Sequence, residues 1–485
     1  MSGSSLKTLR SVQRRRSGGF SLVELMVSIV ISLVLLIALG AMFLNVSSAN
    51  NELAKANSQI ENGRFAVQVL EDELVHAGFW GQFVPQFDDV TWTSVPADAP
   101  TLVPDPCLAY SASNWTTAYV DALLGIPVQS SDAAPGTCAL AGKRANTDVL
   151  VVRHAALCTA GDTNCDAEVA GKLYFQSSQC SAGTAGTAQA LGNSATTIAL
   201  APSSASSSTS STNSAYNGMQ VRLTGHTGAG QSRTIASYDG STGIATVSQA
   251  WTTPPDGTTT YVITESLLAT DGFSLHERGA DCGTAPAALK RKFVSNIFYI
   301  RDYADTAGDG IPTLVRSEFD PAGAPALAHQ AAVALVPGIE RFAVELGVDD
   351  SVARCGLNTA VDYSQAVARV DPASCAANVV DSSRNTLPTN RGDGNPDRYI
   401  RCTTATPCTS AQLANVVAVK LYVLVRNTET SAGYTDTKKY CMSSLDASGN
   451  CPDASVAGPF GDHYKRHMFT TTVRLTTVSG RRETQ

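Results

Sequence analysis

Twenty consecutive residues, Leu25 to Leu44, carry no charge. As a helix rising about 1.5 Å per residue they reach roughly 30 Å, the thickness of a bilayer's hydrocarbon core. Ser28, Ser32 and Gly40 interrupt the run, and membrane helices tolerate such residues. Residues 1–19 carry Lys7, Arg10, Arg14, Arg15 and Arg16 and no acid. That asymmetry predicts a cytoplasmic N-terminus and export of the bulk of the chain.

One carboxylate, Glu24, stands at the mouth of the run. Three readings compete for the segment. A secretory signal peptide would be cut near Ser47-Ser48-Ala49, but its apolar core is usually only about 7–15 residues. A plain single-pass anchor leaves the acid unexplained. A leader cut before the run explains it. Cleavage after Gly19 would make Phe20 the new N-terminus, and its cationic amine would be a partner for Glu24 on the same or a neighbouring helix. An ionisable group at the centre of a membrane helix costs about 2.5–3.5 kcal/mol, and less near an end.

The order basic cluster, Gly18-Gly19, FSLVEL, long apolar run closely resembles the type IV pilin methylation signal. The resemblance implies that a prepilin peptidase cuts between Gly19 and Phe20 and N-methylates Phe20. It also implies that Glu24 docks the subunit into a growing filament.

The helical pattern continues past the membrane. Leu53, Ala56, Ile60, Gly63, Val67, Leu70, Leu74 and Ala77 follow in steps of three and four, which predicts one packed face. Gly63 on that face would let the helix approach a sheet closely. Gly78 is the expected stop. A continuous helix over 20–78 would be roughly 85–90 Å long, with its membrane part at about 25–44.

Twelve cysteines all lie beyond residue 106. An even number confined to the exported part predicts disulfides in an oxidising compartment. Short spacings favour Cys158 with Cys165, Cys402 with Cys408, and Cys441 with Cys451. Cys107–Cys138 and Cys355–Cys375 come next, and spacing alone does not decide connectivity. No Cys-x-x-Cys pair supports a zinc ribbon or thioredoxin motif. Without the five leader cations, 30 basic residues face 42 acidic ones, which argues against broad binding to nucleic acid.

The exported region, 79–485, is predicted to be β-rich. Strands are expected at Asp148–His154, Lys292–Tyr303, Pro312–Phe319, Ile339–Val348, Val416–Val425 and His467–Thr477. The second and third should form a hairpin around DTAGDGI. Residues 181–221 hold no charge and include a Ser/Thr tract from Ser203 that reads as a loop. The runs MQVRL, GIATV and TYVI follow, so about 181–265 reads as a small β insertion.

Four stretches, ENGRFAVQVLEDELVHAGFWG from Glu61, LVPGIERFAVELGVD from Leu335, VVAVKLYVLVRN from Val416 and YKRHMFTTTVRLTTV from Tyr464, resemble the PilW family of minor pilins in order and type. The resemblance implies an α+β, type IV pilin-like fold: a long N-terminal helix packed on an antiparallel sheet, here with an insertion and disulfide-stapled loops. It implies a minor pilin acting in pilus initiation, at the tip. The implied partners are a prepilin peptidase, other minor pilins, the major pilin and a PilY-type adhesin. It places the chain in the inner membrane before assembly, with its C-terminal region periplasmic, and implies no cofactor. A type II secretion pseudopilin shares leader and rod, and a membrane-anchored or tip-exposed adhesive module is the alternative from another class.

Enzyme signals are weak. His463 and His467 are four apart, but the second falls in an expected strand and no third ligand is evident, so no metal is assigned. GTCALAGKR from Gly136 departs from the P-loop in spacing and in the residue after Lys143. Two acidic loops (Asp302, Asp305, Asp309; Asp393, Asp397) lack EF-hand spacing. The Arg-Gly-Asp at Arg391 is read as coincidence.

Overall fold

A computed structural model describes residues 19, 21–92, 95–111, 114–178, 185–202, 209–217, 219–264, 266–270, 273, 275, 277, 286–321, 327–371, 374–376 and 387–483. Phe20, Cys180 and Cys282 lie outside them, as does much of the leader and of the Ser/Thr tract. The chain divides into two compact units, Met1–Asn57 and Ser58–Gln485.

Helix α1 (Leu22–His76) forms the first unit and enters the second. Its residues up to 50 are all exposed, and among the described residues it is the one helix long and apolar enough to cross a membrane.

In the second unit α1 buries Gln59, Gly63, Ala66, Leu70 and Leu74. The stripe is rotated from the expected one: Ile60 is exposed and Val67 only half-buried, and Leu53 in the first unit is also exposed. The reason is polar. Gln59 Nε2 donates to the carbonyls of Val425 (2.7 Å) and Lys465 (2.9 Å) at one end of the sheet. A buried amide left without an acceptor costs about 1–3 kcal/mol, and the spare lone pairs of these two ladder carbonyls supply one, so Gln59 is held on the inward face. Beyond His76, Gly78 takes φ +74°, a conformation natural to glycine.

After α2 (Thr117–Gly125) come β1 (Val128–Ser131), β2 (Val149–Ala155) and β3 (Tyr174–Ser177). The insertion holds β4 (Ala185–Thr187), β5 (Thr197–Ala199), β6 (Gln220–Gly225), β7 (Ser232–Asp239), β8 (Ile244–Val247) and β9 (Thr260–Thr264). The chain returns through β10 (Ser266–Ala269), β11 (Lys290–Arg301), β12 (Thr313–Pro321), β13 (Leu327–His329), β14 (Val333–Pro337) and β15 (Ile339–Val348). Two small pairs follow, β16 (Ser351–Arg354) with β17 (Leu357–Ala360) and β18 (Arg369–Val370) with β19 (Leu387–Pro388). Then come β20 (Arg398–Ile400), α3 (Ser410–Ala414), β21 (Val416–Arg426), β22 (Tyr440–Cys441), β23 (Val456–Ala457), β24 (Arg466–Arg474) and α4 (Thr476–Arg482).

The sheet seated against α1 has the order β20-β15-β21-β24, antiparallel throughout. Val417, Val419, Leu421, Val423 and Val425 share one core with Ala66, Leu70 and Leu74 of α1. On the other face Tyr422 and Leu424 meet Tyr440, Met442 and Ala457. Burial on both faces explains why β21 reads as a nearly unbroken apolar run. A second, eight-stranded sheet runs β1-β2-β11-β12-β13, with β3, β10 and β14 attached. β11 and β12 form the expected hairpin, with Asn296 opposite Glu318 and Arg301 opposite Thr313.

The insertion is a sheet of order β4-β9-β6-β7-β8-β5. Just past β4, Ala188 N–H donates to Thr259 O and Gln189 N–H to Ala199 O (both 2.8 Å), so first and last strands meet and the sheet closes on itself. Its own core includes Tyr216, Val221, Leu223, Ile235, Trp251 and Tyr261.

The last expected strand is shorter than predicted. It ends at Arg474, and Thr476–Arg482 is helical. Arg482 is the cause: it is 2% exposed and bonds Asp88, Asn415 and the carbonyl of Ala414, which only a turn back into the core permits. Among the described residues five disulfides staple the loops: Cys107–Cys138, Cys158–Cys165, Cys355–Cys375, Cys402–Cys408 and Cys441–Cys451.

Candidate functional site

The membrane-side end of α1 opens on a reciprocal cap. Glu24 N–H donates to Ser21 Oγ (3.1 Å), and Ser21 N–H donates to Glu24 Oε2 (3.0 Å). This is a capping box, which satisfies two of the free donors at a helix start. Its Ser-x-x-Glu signature stands in the sequence, so Glu24 has a local partner besides the amine expected from processing. The cap uses only part of the carboxylate's accepting capacity, so Glu24 keeps lone pairs for an external donor. Its negative charge also suits the positive end of the helix dipole. Gly19 is exposed, with nothing within 4 Å of where a Cβ would sit.

In the second unit, the far end of α1 is seated by shape and by polar contacts. A Cβ built on Gly63 would lie 2.1 Å from the Phe469 ring of β24, so any larger residue must displace that ring. Thr471 Oγ1 donates to Glu71 (2.6 Å), and Thr476 Oγ1 donates to the carbonyl of Val75 (3.1 Å). Glu73 reaches the second sheet. Asn296 donates to it at 3.0 Å, and His154 and Arg316 stand 3.4 and 3.8 Å away. Burial raises the Glu73 carboxyl, but these partners outweigh it and hold it below its ordinary value.

Two buried arginines fasten the surroundings. Arg466, at the start of β24, pairs with Glu340 (2.5 Å), Asp436 (2.9 Å) and Asp462 (2.6 Å). Arg482 pairs with Asp88 (2.6 Å) and lies 3.5 Å from Asp349. Burial pushes Asp349 up to about 6, against the pull of Arg482. No motif in the sequence marks either cluster: apart from Asp462, four residues before Arg466, their members are far apart along the chain.

The remaining sequence signals resolve into local structure. Arg391 of the Arg-Gly-Asp is 2% exposed and spends its guanidinium on the carbonyls of Asp362, Gln365 and Asn390. Asp309 accepts the N–H groups of Ala304, Asp305, Thr306 and Ile311 and so holds its own loop. Asp302 pairs with Arg144, and Asp397 caps Ser351 N–H. Lys143 is tied to the carbonyls of Asp132 and Thr147. His463 bonds the carbonyl of Tyr434, while His467 packs against Phe469 on β24. Among the described residues no group of three metal-ligating side chains converges.

Comparison with known families finds two matches. Residues 14–40 match the model described as Prokaryotic N-terminal methylation motif. Residues 297–477 match the model described as Type IV Pilus-assembly protein W. The first spans Gly19, Phe20 and Glu24; the second runs from β11 into α4, and the closed insertion lies outside both. No curated protein and no solved structure matches the chain.

Proposed function

From a PilW-type pilus-assembly segment set behind a prepilin methylation motif, we propose a structural subunit of the type IV pilus, a minor pilin that acts in initiation at the tip. The observation that carries this reading is the N-terminal motif running directly into a membrane-length helix whose far end is built into a sheet. A prepilin peptidase cuts between Gly19 and Phe20 and methylates Phe20. Before assembly the N-terminus is cytoplasmic and the exported region periplasmic, as the five leader cations favour. Apolar packing among pilin helices supplies cohesion. The freed amine of a subunit supplies the donor for which Glu24 retains capacity, and this pairing sets axial register. Other minor pilins, the major pilin and a tip adhesin are the partners. No catalytic step is assigned to the chain.

Mass spectrometry of the chain captured from native envelopes tests this. The expected result is an N-methylated peptide beginning at Phe20, with pilins co-captured. An intact leader, or an N-terminus after Ala49, would refute the processing. Capture with secretion pseudopilins would move the chain to that machine, and a ligand bound without any pilin would favour an adhesive module. Glu24→Ala should be cleaved normally yet incorporate poorly; normal incorporation would remove the register role.

A further inference from the structure

Among the described strands β24 pairs with β21 alone, from Arg466 opposite Arg426 to Arg474 opposite Ala418, with no register shift. Two flanking bonds set the phase of the ladder: Asn427 N–H to Lys465 O (3.0 Å) and Leu475 N–H to Val417 O (2.9 Å). Antiparallel pairs alternate between bonded and non-bonded, so residues 467, 469, 471 and 473 exchange bonds with β21. Met468, Thr470 and Thr472 therefore turn their peptide groups to the open side. Thr470 and Thr472 are exposed, and among the described residues nothing bonds their N–H groups.

Edges of this kind are normally blunted by shortness, bulges, proline or lysine. Other edges of this molecule follow that rule. β20 has three residues. β14 has five, meets β12 through a register shift and ends in Pro337. The insertion has closed on itself. β24 is nine residues long and has no proline or lysine, and its centre, Phe469-Thr470-Thr471-Thr472-Val473, is strongly β-prone.

We propose that β24 is a docking edge, which takes an extended, uncharged segment of a neighbouring pilin subunit as a fifth strand of the sheet. The direction of β24 constrains the occupant. Gln59 meets Lys465, Gly63 meets Phe469, and Val75 meets Thr476, so β24 runs the same way as α1. Subunits drawn from one membrane point their helices alike, which rules out two β24 edges meeting antiparallel. A filament repeated by rotation and rise joins each subunit to the next through two different surfaces, so β24 faces another strand of its neighbour. The uncharged centre of the edge suits an uncharged partner strand. This inference rests on the pilin reading above.

The test uses the full chain in its native host. Amide hydrogen exchange is compared between the assembled pilus fraction and the detergent-dispersed subunit. The peptide covering 468–473 should exchange about tenfold more slowly when assembled, the scale of newly bonded amides. Thr470→Pro and Thr472→Pro remove only outward N–H groups and spare the β21 ladder. Each should be processed and keep its protease resistance, yet lose co-capture of neighbouring pilins. Unchanged exchange at 468–473 in a chain that starts at methylated Phe20 and captures pilins would overturn the docking edge and leave the pilin reading standing. An uncut leader with no pilin captured would overturn both.

Discussion

The closed insertion and the helix-backed sheet are built from the same kind of antiparallel pairing, and each fills its own core. They handle their boundaries in opposite ways. The insertion spends its outermost backbone groups on itself, through Gln189 and Ala199. The helix-backed sheet fastens its interior with buried charge, around Arg466, and leaves a nine-residue edge in water. The open part lies within the matched pilus-assembly segment, and the closed part lies outside it. A sheet that has consumed its own edges can be added to a chain without competing for the strands that other subunits would use.

Substitutions can break that contrast region by region. The largest effect is expected at Arg466→Ala, which strands buried Asp436 without a cation, takes from Glu340 its nearest one and leaves it Arg144 and Arg426 at 3.4 and 3.6 Å, and should cost about 3–5 kcal/mol. Hydrogen exchange should show the helix-backed sheet opening while β6–β9 keep their protection; equal loss in both would mean the two regions unfold as one. Leu223→Ala, at a site 0% exposed, is the reciprocal probe. It should cost about 2–4 kcal/mol within the insertion, leaving the exchange of β21 untouched. Next comes Gly63→Ala, worth about 1–3 kcal/mol through the Phe469 ring. Pairing it with Phe469→Ala should recover part of the loss in urea unfolding, and strict additivity would deny the contact.

The smallest effect is a dependence on pH. Burial pushes His329 down to about 3, with the positive charge of Arg153 adding to the shift and Ser317 opposing it. Its native form is therefore neutral between Ser295 and Ser317. A base whose folded value is depressed contributes stability that is complete above its unfolded value, near 6.5, and is lost as pH falls toward 3. About 1 kcal/mol should be gone by pH 5.5, and His329→Asn should flatten that part of the melting curve.

What could be read in advance follows from how local each cause is. β21 was visible because burial on both faces leaves a nearly unbroken apolar run, whereas in β15 the charges of Glu340, Arg341 and Glu345 interrupt the apolar residues. In the insertion β6, β8 and β9 were visible through alternation, but β4, β5 and β7 were not, nor was the closure, which rests on a backbone bond from Gln189 to Ala199 beside two three-residue strands too short to show a period. The phase of α1 was misread at Ile60 because periodicity counts apolar residues, and the core at that turn wanted the amide of Gln59. The C-terminal turn into α4 was missed for a similar reason. Arg482 is drawn inward by Asp88, 394 residues earlier, and nothing near Thr476 announces it. At the membrane end the acid was noticed, while its nearest partner, Ser21, was in plain view as a cap.

The disulfides have a consequence for how the chain is made. Their partners lie 31, 7, 20, 6 and 10 residues apart, and no bridge straddles another. If the region after α1 is exported while the N-terminus stays behind, its thiols emerge in sequence order. For each of these five pairs, the next cysteine to emerge after an unpaired one is its native mate. Oxidation in order of arrival therefore gives the correct bonds, with little call for a disulfide isomerase to unpick wrong ones. On the proposed reading, in which one helix holds the subunit while the rest is exported, each of these loops can be stapled as it appears, before either sheet is complete.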